Sequence, residues 1–244
     1  MTPSADPGGL ENNRLWAAMD PADQEALRPS MARRHLPAGD VLTQTGDPVR
    51  TVYFPTTADL ANVIRFSNGR SGMATNVGRE GVSGLAAFLA DKPCGWDIQV
   101  QIEGVAWALD SSVLRRQVRA SAPLLDLLLS LTHDNQIEAA QNAVCNTVHM
   151  ITPRVARWLL TLQDRTGGET FQLTQDSVAE LVSARRTTVN AAWQALRDAG
   201  AIRHGRGVVK ILDRNRLMAH ACECYGALEA RVANDMTKEP LSEG

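Results

Sequence analysis

The sequence predicts an α+β protein: an N-terminal β-roll of the jelly-roll kind, one long helix, and a C-terminal winged helix-turn-helix. Three observations predict it. Residues 34–109 break into short apolar runs with turn signals about every eight to twelve residues, the texture of a roll or barrel. After Pro123 no helix breaker appears until Thr152-Pro153. Residues 173–212 then read as two short helices followed by a hairpin.

The first nine residues are rich in Pro, Ser and Gly and lack the basic start and apolar run of a signal peptide. Residues 1–14 are expected to be a disordered tail. Residues 15–27 form an amphipathic helical stretch, with Pro21 opening its second turn. The roll, 15–120 with its flanking helices, is marked by turns at Pro37-Ala38-Gly39-Asp40, Gly46-Asp47-Pro48, Ser67-Asn68-Gly69 and Gly78-Arg79-Glu80-Gly81. Strands are predicted at 51–54, 60–66, 72–77 and 98–109, the last as two alternating strands bent near Glu103-Gly104. A generic β-sandwich that binds nothing fits the same pattern. Trp96 and Trp107 read as core aromatics, and a short helix is expected near 111–119.

Ser121 as N-cap and Pro123 in the first turn open the long helix, in a segment spanning 121–150. Running to about residue 149, it is roughly 43 Å long. Its first half carries Leu124, Leu125, Leu127, Leu128, Leu129 and Leu131, leucine on nearly every side, which demands burial all round. Its second half keeps a narrower seam of Leu129, Ile137, Ala140, Val144 and Val148, with His133 as a partly solvated seam residue. A twin helix from a second copy would cover that seam, which makes the protein a homodimer. A monomer whose helix lies along its own two domains is the alternative.

The C-terminal module spans 151–217. Thr174 can cap a helix over 175–181, with Asp176 in its first turn and Val178, Leu181 and Val182 facing inward. A turn at Ser183-Ala184 leads to a second helix over 185–199, whose apolar side is Val189, Ala192, Trp193 and Leu196, and Gly200 stops it. The runs 201–204 and 208–212 flank Gly205-Arg206-Gly207 as a hairpin. Arg185, Arg186, Thr187, Thr188 and Asn190 occupy the exposed start of the second helix. Arginine can pair bidentately with guanine and asparagine with adenine, so these side chains suit major-groove readout. A plain solvated face is the competing reading, but arginine at a helix N-terminus opposes the helix dipole. Charge favours the first. Between 171 and 216 there are eight Lys/Arg against four Asp/Glu, net +4, in a chain of net −2. Arg203, Arg206 and Lys210 around the wing would anchor phosphates. The implied partner is double-stranded DNA.

Four cysteines (94, 145, 222, 224) show no disulfide framework, which suits a reducing cytoplasm, and the most apolar stretch, 124–131, is too short to span a membrane. There is no Gly-rich phosphate loop, nucleophile elbow or His-x-His motif, so the reading is not an enzyme. His220, Cys222 and Cys224 fall in a segment, 218–244, read as a C-terminal helix and tail after an Asp213 cap. Positions two apart on a helix face different ways, so no shared metal is expected there.

The order of these parts resembles the Crp/Fnr superfamily of bacterial transcription regulators, over about residues 15–217. The most specific pieces are His35-Leu36-Pro37-Ala38-Gly39-Asp40, Gly46-Asp47-Pro48, Val52-Tyr53-Phe54-Pro55, Gly78-Arg79-Glu80-Gly81, the Thr-Pro-Arg-Val-Ala-Arg-Trp-Leu-Leu stretch from Thr152, and Arg186-Thr187-Thr188-Val189. The resemblance implies a cyclic-nucleotide-binding-like roll and a homodimer on a palindromic operator. It also implies allosteric control of the DNA-binding domains, with RNA polymerase as a conceivable further partner. Arg186 matches the family's base-contacting arginine. The usual glutamate after it is Thr187 and a further arginine is Ala191, so the half-site should differ from TGTGA or TTGAT.

The family's cyclic-nucleotide cassette aligns poorly: its glutamate falls at Gly84, its arginine at Cys94 and its serine at Gly95. The adenine-contacting pair falls at Ala139 and Ala140. Without the guanidinium an anionic phosphate loses its main partner, so cyclic AMP is not expected, and no cofactor is predicted. An iron–sulfur cluster is not expected either, since no cysteine precedes Cys94. Any other effector would meet Arg79, Gly84, Leu85, Phe88, Cys94 and Gly95.

Overall fold

The computed structural model describes residues 6–69, 71–182 and 184–226. Its N-terminal part is two antiparallel sheets, ordered β1-β7-β3 and β2-β6-β4-β5. The strands are β1 (Ala32–Leu36), β2 (Val41–Thr43), β3 (Thr51–Pro55), β4 (Asp59–Arg65), β5 (Ser71–Val77), β6 (Asp97–Ile102) and β7 (Gly104–Asp110). Alternating burial along β3 and β6 sends Val52, Phe54, Ile98 and Val100 into one core, which Ala106 and Leu109 of β7 also join. Strands β3 to β7 lie where the apolar runs predicted them. β1 and β2 do not show in the sequence, because both are edge strands and Arg33, Arg34 and His35 stay exposed.

The N-terminal segment differs from the expected tail. Residues 1–5 lie outside the described residues, but 6–14 dock on the roll. Leu10 is buried, and Asn13 donates through Nδ2 to the carbonyls of Pro55 and Gly81, both at 2.9 Å. Its Oδ1 accepts from the Trp16 amide at 2.9 Å, capping helix α1 (Arg14–Ala17). Pro21 opens a separate helix, α2 (Pro21–Leu27). The short helices α3 (Leu85–Ala90) and α4 (Ser111–Ala120) complete this part.

Helix α5 (Ala122–Val148) begins at the Ser121 cap, whose Oγ accepts from the Leu124 amide at 3.2 Å. It is not buried all round. Leu124 and Leu128 enter the roll's core, whereas Leu125, Leu129, Val144 and Val148 are 36, 50, 57 and 68% exposed. Ile137 is half-buried and Ala140 exposed, so the predicted seam is opened in this single chain rather than filled. Only His149 and Met150 separate α5 from α6 (Ile151–Thr166).

The C-terminal part is α6, β8 (Thr170–Gln172), α7 (Gln175–Leu181), α8 (Arg186–Asp198), β9 (Ile202–Gly205), β10 (Val208–Ile211) and α9 (Arg214–His220), with a sheet ordered β8-β10-β9. Its core gathers Val155, Leu159, Leu162, Phe171, Val178, Val189, Trp193 and Leu196. Residues 227–244, and so the expected tail, lie outside the described residues.

The parts meet at Arg165 on α6, whose side chain is 9% exposed. Its Nε pairs with Glu80 at 2.9 Å, its Nη2 with Glu138 of α5 at 2.8 Å, and its Nη1 with Asn76 of β5. A Cβ on Gly78 would stand 2.4 Å from Arg165 Cβ, so only glycine permits this approach. Asn76 in turn donates to fully buried Asp59 at 2.7 Å. Burial pushes the Asp59 carboxyl up to about 7, against the pull of Arg165, from an ordinary value of 3.8. The raised folded value means Asp59 contributes stability below about pH 4 that is lost as pH rises through about 7. Asp59→Asn should therefore gain stability relative to the wild type as pH rises from about 5 to 8 in urea unfolding. An offset that stays flat over that range would contradict this account.

Candidate nucleic-acid interface

The helix-turn-helix is built by local chemistry. Thr174 Oγ1 accepts from the Ser177 amide at 3.0 Å and starts α7. Ser183 and the side chain of Asp176 lie outside the described residues. The turn is held from beneath by buried Arg154 of α6, whose Nη2 donates to the Val182 carbonyl and to Asn146 Oδ1 of α5, the latter at 2.6 Å. Helix α8 buries Val189, Ala192, Trp193 and Leu196, and Gly200 leaves it at φ 70°.

This packing leaves Arg185, Arg186, Thr187, Thr188 and Asn190 exposed at the start of α8. Arg185 occupies the N-cap with no side-chain cap bond. Its carbonyl accepts from the Thr188 and Val189 amides at 2.9 and 3.1 Å, and the positive end of the helix dipole at this exposed terminus suits an incoming phosphate. The wing hairpin turns at Arg206-Gly207, both with positive φ (51° and 76°), the left-handed pair of a tight two-residue turn. His204 stacks on Trp193, ring centroids 4.9 Å apart and 2° from parallel, and so fixes the wing against α8. Burial first, then Arg197, pushes the His204 imidazole below its ordinary value, which keeps it neutral in that stack.

On the opposite face of the wing, Arg203 and Lys210 are direct cross-strand partners. Like charges so placed repel by a few tenths of a kcal/mol or more, so sheet stability does not explain them. Both are exposed, as is Arg206, and none has an ion-pair partner among the described residues. By contrast, Arg214 and Arg216 are held by Asp164 and Asp213 at 2.9 and 3.1 Å. The cationic surface is therefore narrower than the charge count suggested. Strand β8, which completes the wing sheet by pairing with β10, was too short to read in the sequence.

The expected effector residues are differently placed. Leu85, Phe88 and Cys94 are core side chains, 4, 2 and 2% exposed, with Arg115 covering the Phe88 ring at 4.7 Å. Gly84 is left-handed at φ 68°, and a Cβ there would press on Val49 at 3.0 Å. Gly95 is exposed. Arg79 turns away from this group, its carbonyl accepting from the Arg14 amide at 2.6 Å and its guanidinium near Gly167. Burial pushes the Cys94 thiol up, which disfavours the thiolate a redox sensor needs. A cavity of about 30 Å³ between roll, α5 and α6 is bordered by Asn76, Glu138, Asn142 and Arg154, with room for about one water. Trp107 is half-buried and donates to the Gly8 carbonyl at 3.0 Å.

His220, Cys222 and Cys224 do not share the one helix expected of them. α9 starts at the Asp213 cap but ends at His220, whose Nδ1 is 2.8 Å from the Arg216 carbonyl. Cys222 and Cys224 lie beyond it and fold back toward Cys145 of α5 and His149 just after it.

A β-roll joined by a long helix to a winged helix-turn-helix with a cationic wing defines a DNA-binding regulator with a sensor-type domain. Residues 33–121 match the cyclic nucleotide-binding domain family and residues 153–220 the Crp-like helix-turn-helix domain family. The chain is 25% identical over 215 residues to the CRP-like cAMP-activated global transcriptional regulator of Mycobacterium tuberculosis, covering 85% of this chain and 96% of that protein. FixK2 of Bradyrhizobium japonicum shares the fold with a TM-score of 0.64 at 16% identity, over 79% of this chain and 98% of that one. A CRP/FNR-family transcriptional regulator of Thermus thermophilus does so with a TM-score of 0.61 at 19% identity, over 78% and 98%. The chain carries the domain pair of a Crp-like transcription regulator, a cyclic nucleotide-binding domain followed by a Crp-like helix-turn-helix domain.

Lys210→Ala should weaken duplex binding about equally for all sequences and make the logarithmic salt slope shallower by about 0.9. Fluorescence anisotropy at several salt concentrations measures it, and a sequence-dependent loss with an unchanged slope would reassign Lys210 to base reading.

Proposed function

We propose that this protein is a cytoplasmic homodimer that binds a palindromic operator, placing the start of each α8 in successive major grooves. The observation that carries the reading is the exposed Arg185-Arg186-Thr187-Thr188 start and Asn190, locked through the Trp193–His204 stack to a wing bearing Arg203, Arg206 and Lys210. Arg186 and Asn190 are assigned to bases, Arg185 and the wing cations to phosphates. Dimerisation is supported by the open face of α5. Leu125, Leu129, Ala140, Val144 and Val148 run along one helix, and soluble chains seldom leave such a line uncovered.

Activation by cyclic AMP, for which the mycobacterial relative is named, is not part of the proposal. Gly84, Cys94 and Gly95 supply neither the carboxylate nor the guanidinium and hydroxyl, and Cys94 is buried in the core.

Selection of duplexes from a random pool by the purified protein, with no effector added, should enrich a palindrome with half-site centres about 34–36 Å apart. Arg186→Ala should abolish that enrichment while leaving weak, salt-sensitive binding. Sequence-indifferent binding by the folded wild type would count against the reading. Val144→Glu places a charge in the seam and should convert the dimer to a monomer in sedimentation; an unchanged dimer would move the interface elsewhere.

A further inference from the structure

The end of α5 and the segment after α9 bring three thiols and an imidazole together. Cys145 lies in the last turn of α5 and His149 is the C-cap of that helix, its amide bonded to the Cys145 carbonyl at 3.1 Å, and Cys222 and Cys224 arrive from the far end of the DNA-binding domain. The four donor atoms all lie within 4.8 Å of one another. Cys145 Sγ is 3.7 Å from Cys222 Sγ, and Cys224 Sγ is 3.7 Å from His149 Nδ1. A tetrahedral ion bound at about 2.3 Å to sulfur and 2.0–2.1 Å to nitrogen sets its ligands about 3.5–3.8 Å apart. The two 3.7 Å separations fit such a cage, and the sulfur–sulfur distance is far from the roughly 2.05 Å of a disulfide.

The surroundings point the same way. His149 presents Nδ1 to the thiols and its Nε2 lies 3.1 Å from Glu223 Oε2. That is the carboxylate–histidine arrangement that fixes the ring of a metal ligand. Gln141 Nε2 donates to Cys224 Sγ at 3.0 Å, as amides do to thiolates. Three thiolates and a divalent ion carry a net charge of −1. Arg157, buried and near Cys145 and Cys222, can offset it, and its Nε has no hydrogen-bond partner among the described residues. The three sulfurs are buried, and four protein ligands leave no open position. Such a donor set selects zinc in a structural role.

We propose that Cys145, His149, Cys222 and Cys224 form a tetrahedral zinc site that fastens the DNA-binding domain to the C-terminal end of α5. The three cysteines enter as thiolates, releasing their protons, and His149 enters neutral with its remaining proton on Nε2 toward Glu223. Two ligands precede the His149-Met150 junction or sit on it, and two close the DNA-binding domain, so the ion sets the angle between α5 and that domain. The site is independent of which DNA sequence the protein reads.

The test is Co2+ titration of reduced, chelator-stripped full-length protein. One Co2+ per chain is expected, with the intense visible bands of tetrahedral coordination and a thiolate charge-transfer band, all bleached by Zn2+. Cys222→Ser should weaken Co2+ binding about tenfold or more and reduce the charge-transfer band, and Glu223→Gln should weaken it about 10- to 100-fold. His220→Ala should leave the titration unchanged. Folded, reduced wild type that shows no charge-transfer band overturns the proposal whatever the variants do. So does an undiminished band in Cys222→Ser, or a Cys145–Cys222 disulfide in protein isolated from cells.

Discussion

The arrangement of this molecule depends on one buried guanidinium. Arg165 belongs to the DNA-binding domain, yet its partners are Glu80 and Asn76 of the roll and Glu138 of α5. A buried charge that loses its partner costs about 3–5 kcal/mol, so the three parts cannot separate here without a large penalty. The Gly78-Arg79-Glu80-Gly81 turn is shaped around this contact: Gly78 admits the Arg165 stem, and the Arg79 amide reaches the Arg165 carbonyl at 3.4 Å. Any signal in the roll that displaces Glu80 or Asn76 acts directly on α6.

Helix α5 serves as the spine for these contacts. One face packs on the roll through Leu124 and Leu128, another offers Glu138 to Arg165 and Asn146 to Arg154, and a third stays open. Arg154 carries the connection onward to Val182 at the helix-turn-helix turn. The route from spine to recognition helix is thus two buried arginines on α6, each bonded to α5 and to a second part. Polar networks of this kind have a defined geometry that apolar contacts lack, and they favour discrete arrangements over gradual bending.

The DNA-facing surface relies on rigid contacts in the same way. Trp193 packs inward from α8 and still presents its ring to His204, so the helix that would read bases and the hairpin that would hold phosphates move together. Arg203, Arg206 and Lys210 stay out of ion pairs there among the described residues, while Arg214 and Arg216 are held by carboxylates within the domain.

By itself the sequence determined the elements whose signals are local. The Ser121 and Thr174 caps, the Gly200 stop, the Arg206-Gly207 turn and the short apolar runs of β3 to β7 each need only near neighbours, and the cationic start of α8 follows from its apolar face. Only the tertiary structure decided what depends on distant partners. Edge strands β1 and β2 exist through pairing with β7 and β6, and residues 6–14 are ordered because Leu10 and Asn13 find sites on the roll. Leu85, Phe88 and Cys94 became core once α3 folded against Val49 and its neighbours. Arg165 and the Cys145–Cys222 pair join positions 27 to 89 residues apart, which no periodicity encodes. Side chains of that kind acquire their meaning only when chain closure places them within a few ångströms, in surroundings from which water is excluded.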